Sequence, residues 1–392
     1  MGTMKLRLGM IGGGQGAFIG AVHRIAARMD DEYTLVCGAF SSDAEKSKEM
    51  GLILQLDAAR VYETYHQLLE SESRLPPNER VQVISIVTPN HLHFEPAKLA
   101  LENGFHVILD KPATFSLFEA VRLKEICRES GKLLCLTHTY TGYPMVKEAR
   151  QIVAGGKLGE IRKIYAEYPQ GWLSRFEEGS GNNKQAAWRT DPSRSGIAGA
   201  MGDIGTHAFN LVEYVSGLQV TKLCADINTV VKGRKLDDDG AVLLKFSNGS
   251  SGVLIASQIV TGEENNVKIR VYGEQGGLEW QQSDANTLKL MMIDEPVQIL
   301  RTGSAYLSSY ASHNTRTPAG HPEGYLEAFA NLYRNFAQTI KALLANEEPS
   351  PEHLDFPGVD EGVRGMAFIE SVIRSGQSDV KWSEFSLKYE DN

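Results

Sequence analysis

Asp110-Lys111-Pro112 follows the apolar run 105–109, and far downstream Gly202-Asp203-Ile204-Gly205-Thr206-His207 sets Asp203 and His207 four residues apart. The run 105–109 reads as a buried strand, which would deliver Asp110 and Lys111 to the carboxyl edge of a sheet, where open α/β sheets bind their ligands. A spacing of four puts the Asp203 carboxylate and the His207 imidazole on one face of a predicted helix. Ammonium, carboxylate and imidazole together are the groups that fix a positive charge and move a proton near neutral pH.

Elements that would position these groups alternate in the first third of the chain. Strand 5–11 leads through the glycine-rich turn 12–20 into helix 21–29, with His23 and Arg24 on its polar side. Gly12-x-Gly14-x-x-Ala17 then lies between a strand and a helix, the context a dinucleotide fingerprint needs. Glycines there let the backbone of Gln15, Gly16, Ala17 and Phe18 approach a pyrophosphate, and a helix N-terminus faces its charge. A second register ends at Gly20. Strand 34–40 ends in Phe40-Ser41-Ser42-Asp43 instead of directly in an acid, so Ser41 and Ser42 are candidates for a ribose hydroxyl or a 2′-phosphate, with Lys46 nearby. Strands 81–87, 105–109 and 133–136 alternate with helices 43–50, 64–72, 96–103 and 117–130, which predicts a doubly wound parallel sheet. Thr88, Asn90 and His93 follow strand 81–87 and are placed along the cofactor, turn and cap bonds being the alternative for Asn90 and His93.

Beyond residue 157 the texture changes. Strands 161–168, 220–228, 241–246, 251–257, 267–272, 277–281 and 287–292, separated by Gly, Asn and Asp turns, predict a large, mostly antiparallel open sheet bracketed late by helices 324–344 and 362–375. The fold class is α/β: a Rossmann domain over 1–138, then an α+β substrate-binding and catalytic domain over 139–392. Tyr140, Gln170, Trp172, Lys184, Trp188 and Arg189 mix flat apolar faces with hydrogen-bonding groups and are candidates to line a substrate pocket, though loop aromatics also close domain interfaces. His321 in Gly-His-Pro-Glu is a further candidate, beside the reading of that segment as a helix start.

With 392 residues, 42% hydrophobic, and a net charge of −9 without a basic run, the chain is expected to be a soluble protein of two domains that does not bind nucleic acid. No early apolar stretch is long enough for a signal peptide or membrane span, so a cytoplasmic location is expected. Cys37, Cys127, Cys135 and Cys224 form no C-x-x-C pair and read as reduced structural residues. Asp237-Asp238-Asp239 has no histidine or cysteine beside it and reads as a solvated turn; no metal is expected.

The glycine turn, Thr88-Pro89-Asn90-x-x-His93, Gly104-Phe105-His106-Val107, Asp110-Lys111-Pro112 and the Asp203/His207 pair resemble, in order and spacing, the Gfo/Idh/MocA oxidoreductases, and the resemblance covers nearly the whole chain. The family's usual Glu-Lys-Pro is Asp-Lys-Pro here. The segments from Asn183 to Pro192 and from Gly320 to Gly324 resemble levoglucosan dehydrogenase-like sugar 3-dehydrogenases most. The resemblance implies NAD as cofactor, with NADP the alternative, and a small sugar or polyol as substrate. It implies that Lys111 holds the substrate oxygen and the nicotinamide ribose, that His207 accepts the hydroxyl proton, and that Asp203 orients the sugar. It also implies a homodimer or homotetramer through the C-terminal sheet. Two other readings stay open: a redox glycosidase of the same fold and a non-catalytic nucleotide-linked sensor.

Overall fold

The computed structural model describes residues 5–180 and 183–388. Two compact units result: residues up to Gly142 with Tyr325–Val363, and Tyr143–Gly324 with the residues from Arg364 onward.

The first unit is built on five parallel strands: β1 (Leu6–Gly12), β2 (Tyr33–Ala39), β3 (Val83–Val87), β4 (His106–Leu109) and β5 (Leu134–Leu136). Their order is β2-β1-β3-β4-β5, so the winding direction reverses between β1 and β3. A crevice at the carboxyl ends of such a switch point is where doubly wound sheets bind ligands. The glycine turn leaves β1 there, Thr88 leaves β3, and Asp110 leaves β4.

Both faces of this sheet are covered, which is why β3 is buried at every position. One face packs Ile84, Ile86 and Val107 against Leu68, Ala97, Leu101 and Leu123 of helices Tyr65–Arg74, Phe94–Glu102 and Leu117–Ser130. The other packs Leu6, Leu8 and Ile108 against helix Phe18–Met29 and against Phe329, Leu332 and Phe336 of helix Tyr325–Leu344. The assignment of all of 139–392 to a second domain therefore differs from the packing: this late helix lies with the first unit, because its apolar stripe covers that sheet.

The second unit holds nine strands: β6 (Ile161–Pro169), β7 (Val220–Asn228), β8 (Asp239–Phe246), β9 (Ser251–Ser257), β10 (Lys268–Gly273), β11 (Gly276–Gln281), β12 (Thr287–Met292), β13 (Gln298–Arg301) and β14 (Ser383–Glu384). Their order is β13-β12-β11-β10-β6-β9-β8-β7-β14, antiparallel except for β6 beside β9. Seven of these strands are those expected from sequence; the short edge strands β13 and β14 and helix Pro144–Ala154 were not anticipated. One sheet face is buried through Ile164, Ala166, Leu254 and Val271, with helix Thr206–Ser216 packed near β6 and β10. The opposite face leaves Leu243 45% and Ile255 39% exposed, so the sheet is open on that side. Among the described residues no helix is long and apolar enough to cross a membrane.

Candidate active site

Three glycines of the first turn have backbone angles that other residues rarely adopt: Gly12 at φ +84°, Gly13 at +73° and Gly16 at +77°. The Gly14 N–H donates to the Phe40 carbonyl at 3.1 Å, and a Cβ at Gly14 would come within 2.8 Å of that oxygen. Helix Phe18–Met29 begins directly after, with no side-chain cap and no acid in its first turn. Its first N–H groups are thus available to an anion, and the helix dipole favours one. The two glycine registers also separate: a Cβ at Gly20 would lie 2.4 Å from Gly13 Cα, so Gly20 makes the close contact between helix and turn. Arg24 fixes the turn by donating to the Gly13 carbonyl at 2.7 Å.

At the end of β2, Asp43 is committed to capping helix Ala44–Ile53 through the Glu45 and Lys46 N–H groups. Lys46 pairs with that same carboxylate at 3.3 Å. Ser42 is left exposed and Ser41 half-buried, with the Ser41 hydroxyl oxygen accepting from the Asp43 N–H. The Thr88 hydroxyl donates to the Leu92 carbonyl, and Asn90 is buried in the short turn that follows. His93 is buried with its two ring nitrogens at 2.7 and 2.8 Å from the Pro112 and Thr88 carbonyls. This staples the β3 turn to the Asp-Lys-Pro turn, the kind of turn bond that was the alternative reading for His93.

The Asp110 carboxylate accepts from the Lys111 N–H and the Thr137 hydroxyl, both at 2.9 Å, and His23 Nε2 lies 3.9 Å away. Burial alone would raise its pKa, but His23, then Lys111 and His93, outweigh it and hold the group well below the usual carboxylate range. His23 is fully buried, not on a polar helix side, and its Nδ1 bonds the Tyr333 hydroxyl at 2.7 Å. Burial, then Lys111, pushes the nearby His138 down to about 3. Tyr140 lies buried in the turn Thr139–Gly142, within the first unit.

The second unit carries Asp203 and His207 where the chain enters helix Thr206–Ser216. The lead-in Met201–Gly205 is a π-turn, so Asp203 and His207 are not spaced on a regular α-helix as the sequence suggested; such turns frequently mark functional sites. Asp203 Oδ2 accepts from Gln258 Nε2 at 2.9 Å and pairs with Arg189 Nε at 3.3 Å. The Arg189 guanidinium carbon lies over the Trp188 ring, 4.2 Å from its centre, and Arg189 bonds Gln185. Gln170 accepts from Trp172 Nε1 at 2.9 Å and donates to Asn265, which also accepts from the Tyr168 hydroxyl. The Tyr168 ring is 6.2 Å from that of His207, which is 9% exposed.

Packing thus gathers Gln170, Trp172, Trp188, Arg189, Asp203 and His207 into one polar and aromatic cluster, and adds Tyr168, Gln185, Gln258 and Asn265, which sequence reasoning missed. Nothing local distinguishes those four; only pairing of β6 with β9 beside the β9 end reveals Gln258. The Lys184 side chain lies outside the described residues. His321 is exposed and its ring bonds Pro318 of its own turn, while the next acid, Glu323, is buried and accepts from the Arg316 and Thr317 N–H groups. The chain there is a clamped loop, and the helix starts only at Tyr325. Asp237 and Asp238 are 6% and 0% exposed, so this acidic run is a buried anchor and not the solvated turn expected. Among the described residues no group of three or more His, Cys, Asp or Glu is arranged to hold a metal.

Two family models match successive parts of the chain. Residues 6–138 match the model of the oxidoreductase family with an NAD-binding Rossmann fold, and residues 146–279 match the GFO/IDH/MocA C-terminal domain. The chain is 33% identical to the oxidoreductase YfiI of Bacillus subtilis over 98% of both chains. It is 25% identical to levoglucosan dehydrogenase of Pseudarthrobacter phenanthrenivorans over 70% of this chain and 73% of that one. A crystal structure of an inositol dehydrogenase homolog from Azotobacter vinelandii complexed with NAD+ aligns with a TM-score of 0.92 at 34% identity, covering 98% of each chain.

Proposed function

Because the chain belongs to the Gfo/Idh/MocA family of NAD-binding oxidoreductases, we propose that it oxidises one secondary hydroxyl of a sugar, anhydrosugar, glycoside or inositol to a ketone. The observation that carries this reading is the network in the second unit that links a carboxylate, a guanidinium, amides and two indoles, and that reaches His207 through the Tyr168 ring. Hydroxyl-rich substrates are bound by such combinations of hydrogen-bonding groups and flat apolar faces. Similarity to a levoglucosan dehydrogenase and to an inositol dehydrogenase homolog supports the substrate class.

NAD, when bound, supplies the hydride acceptor; the positive-φ glycines and the uncapped helix of the first unit fit its pyrophosphate. Lys111 holds the substrate oxygen with a fixed positive charge, which stabilises alkoxide character as hydride leaves carbon. His207 takes the hydroxyl proton, a general-base contribution of roughly 10² to 10⁴ in rate. Asp203, held by Arg189 and Gln258, orients the sugar. The cellular setting we assign is the cytoplasm, in keeping with four free cysteines. We assign the open sheet face with Leu243 and Ile255 to a second copy of the chain; sedimentation showing monomer alone would reject that assignment.

Absorbance at 340 nm with NAD or NADP and a panel of levoglucosan, glucose, glucosides, xylose and myo-inositol tests the reading. A rise with one sugar and one nucleotide is expected. Glycoside cleavage without net reduced nucleotide would favour the redox glycosidase, and tight nucleotide binding with a flat panel the sensor.

A further inference from the structure

We propose that Asp237 is a positioning residue that fixes the entry to the helix bearing Asp203 and His207, an inference that rests on the reading of those two residues as the acting groups. Asp237 holds three successive backbone N–H groups at that entry. Its Oδ1 accepts from Gly199 at 2.5 Å, its carbonyl from Ala200 at 2.9 Å, and its Oδ2 from Met201 at 2.7 Å. The chain then passes straight into the π-turn Met201–Gly205, which has no capping side chain of its own. A residue 36 positions away therefore performs the task a local N-cap usually performs. The approach is close enough to dictate the residue at 199: a Cβ there would lie 2.1 Å from the Asp237 carbonyl oxygen.

The neighbouring residue continues the lock. The Asp238 carbonyl accepts from the Gln258 N–H at 2.9 Å, and the Gln258 amide in turn donates to Asp203 Oδ2. The Asp238 side chain accepts from the Val230 and Val231 N–H groups at 2.8 and 2.9 Å and from Arg234, whose guanidinium also holds the Leu173 and Arg175 carbonyls. Asp203 is thus placed along two routes that start from adjacent residues, through the helix entry and through Gln258. A carboxylate is required at 237 because both oxygens accept; an asparagine of the same shape offers one acceptor and turns an N–H₂ group toward the other amide. Misplacement of a reacting group by about 1 Å costs about a hundredfold in rate.

The test is Asp237→Asn in the NADH-loaded protein. The His207 imidazole cross-peak in a histidine-labelled NMR spectrum, identified by its loss in His207→Gln, is expected to move. The kcat on the active sugar is expected to fall about tenfold or more, while the NADH Kd stays within about twofold because the nucleotide-binding residues lie in the other unit. A cross-peak at its wild-type position overturns the proposal whatever the activity. A shifted cross-peak with unchanged kcat supports the anchor and overturns the reading of His207 as base. Hydrogen exchange in the wild-type protein gives an independent check should the variant fail to fold. Amides 199–201 are expected to be protected like those of the sheet, and exchange at the rate of an open loop would overturn the proposal.

Discussion

In the proposed reaction His207 receives the hydroxyl proton and Lys111 holds the substrate oxygen. Removal of the imidazole by His207→Ala is expected to lower kcat by about 10² to 10⁴ and to leave NADH affinity unchanged. Stopped-flow reduction of NAD together with a fluorescence titration of NADH measures both, and an equal loss of NADH binding would assign His207 a structural role. Lys111, Asp203 and His207 were singled out in the chain by the order and spacing of their motifs taken together, since a lone acid at a helix entry is common, as Asp43 shows. Gln258 and Asn265 were not legible: an amide looks the same in sequence whether it faces solvent or a carboxylate. Their partners, Asp203 for Gln258 and Gln170 and Tyr168 for Asn265, are set by strand pairing 55 to 97 residues away.

Elements impose their own constraints on the site. The glycine turn and helix Phe18–Met29 touch backbone to backbone at Gly13 and Gly20. Gly20→Ala places a methyl group 2.4 Å from Gly13 Cα, so the helix must move away from the turn. Overpacking of this kind costs about 1–3 kcal/mol, and it displaces the first N–H groups of the helix, which are proposed to face the pyrophosphate. A lower Tm together with weaker NADH binding is the expected result by calorimetry and titration; wild-type values in both would show that the contact relaxes freely. The strand-and-helix alternation of this region was visible from periodicity, and helix Leu117–Ser130 has the expected bounds. The π-turn before His207 was not visible, since an i, i+4 spacing of polar residues fits an α-helix equally well. Only the anchoring of residues 199–201 by Asp237 shows how the extra residue is held.

Acid sensitivity belongs to the whole molecule, through histidines buried in the first unit. Burial, assisted by Lys132, pushes His106 down to about 4, while its Nδ1 accepts from the Leu133 N–H. His138 and His93 shift in the same direction, again mainly by burial. In the unfolded chain a histidine titrates near 6.5, so between about 6.5 and 4 the unfolded state binds more protons and stability falls as pH falls. For His106 alone the loss across that window is about 3 kcal/mol, at ~1.4 kcal/mol per unit. Calorimetry from pH 7.5 down to pH 4.5 should show a steep drop in Tm, and His106→Asn, which keeps an acceptor for Leu133, should flatten it; a parallel curve would place the acid-sensitive group elsewhere. Asp110, held low, adds its own loss only below the ordinary carboxylate range near 3.9. By itself the sequence determined the Rossmann sheet, most strands of the second sheet and the glycine turn, because periodicity and turn chemistry are local, and it nominated the lysine, aspartate and histidine. Tertiary structure alone decided that helix Tyr325–Leu344 covers the first sheet, that His93 staples two turns, and that Asp237 and Gln258 hold the Asp203 region. Those outcomes depend on which buried face or polar atom finds a partner after long-range packing, and no short window of the chain contains both members of such a pair.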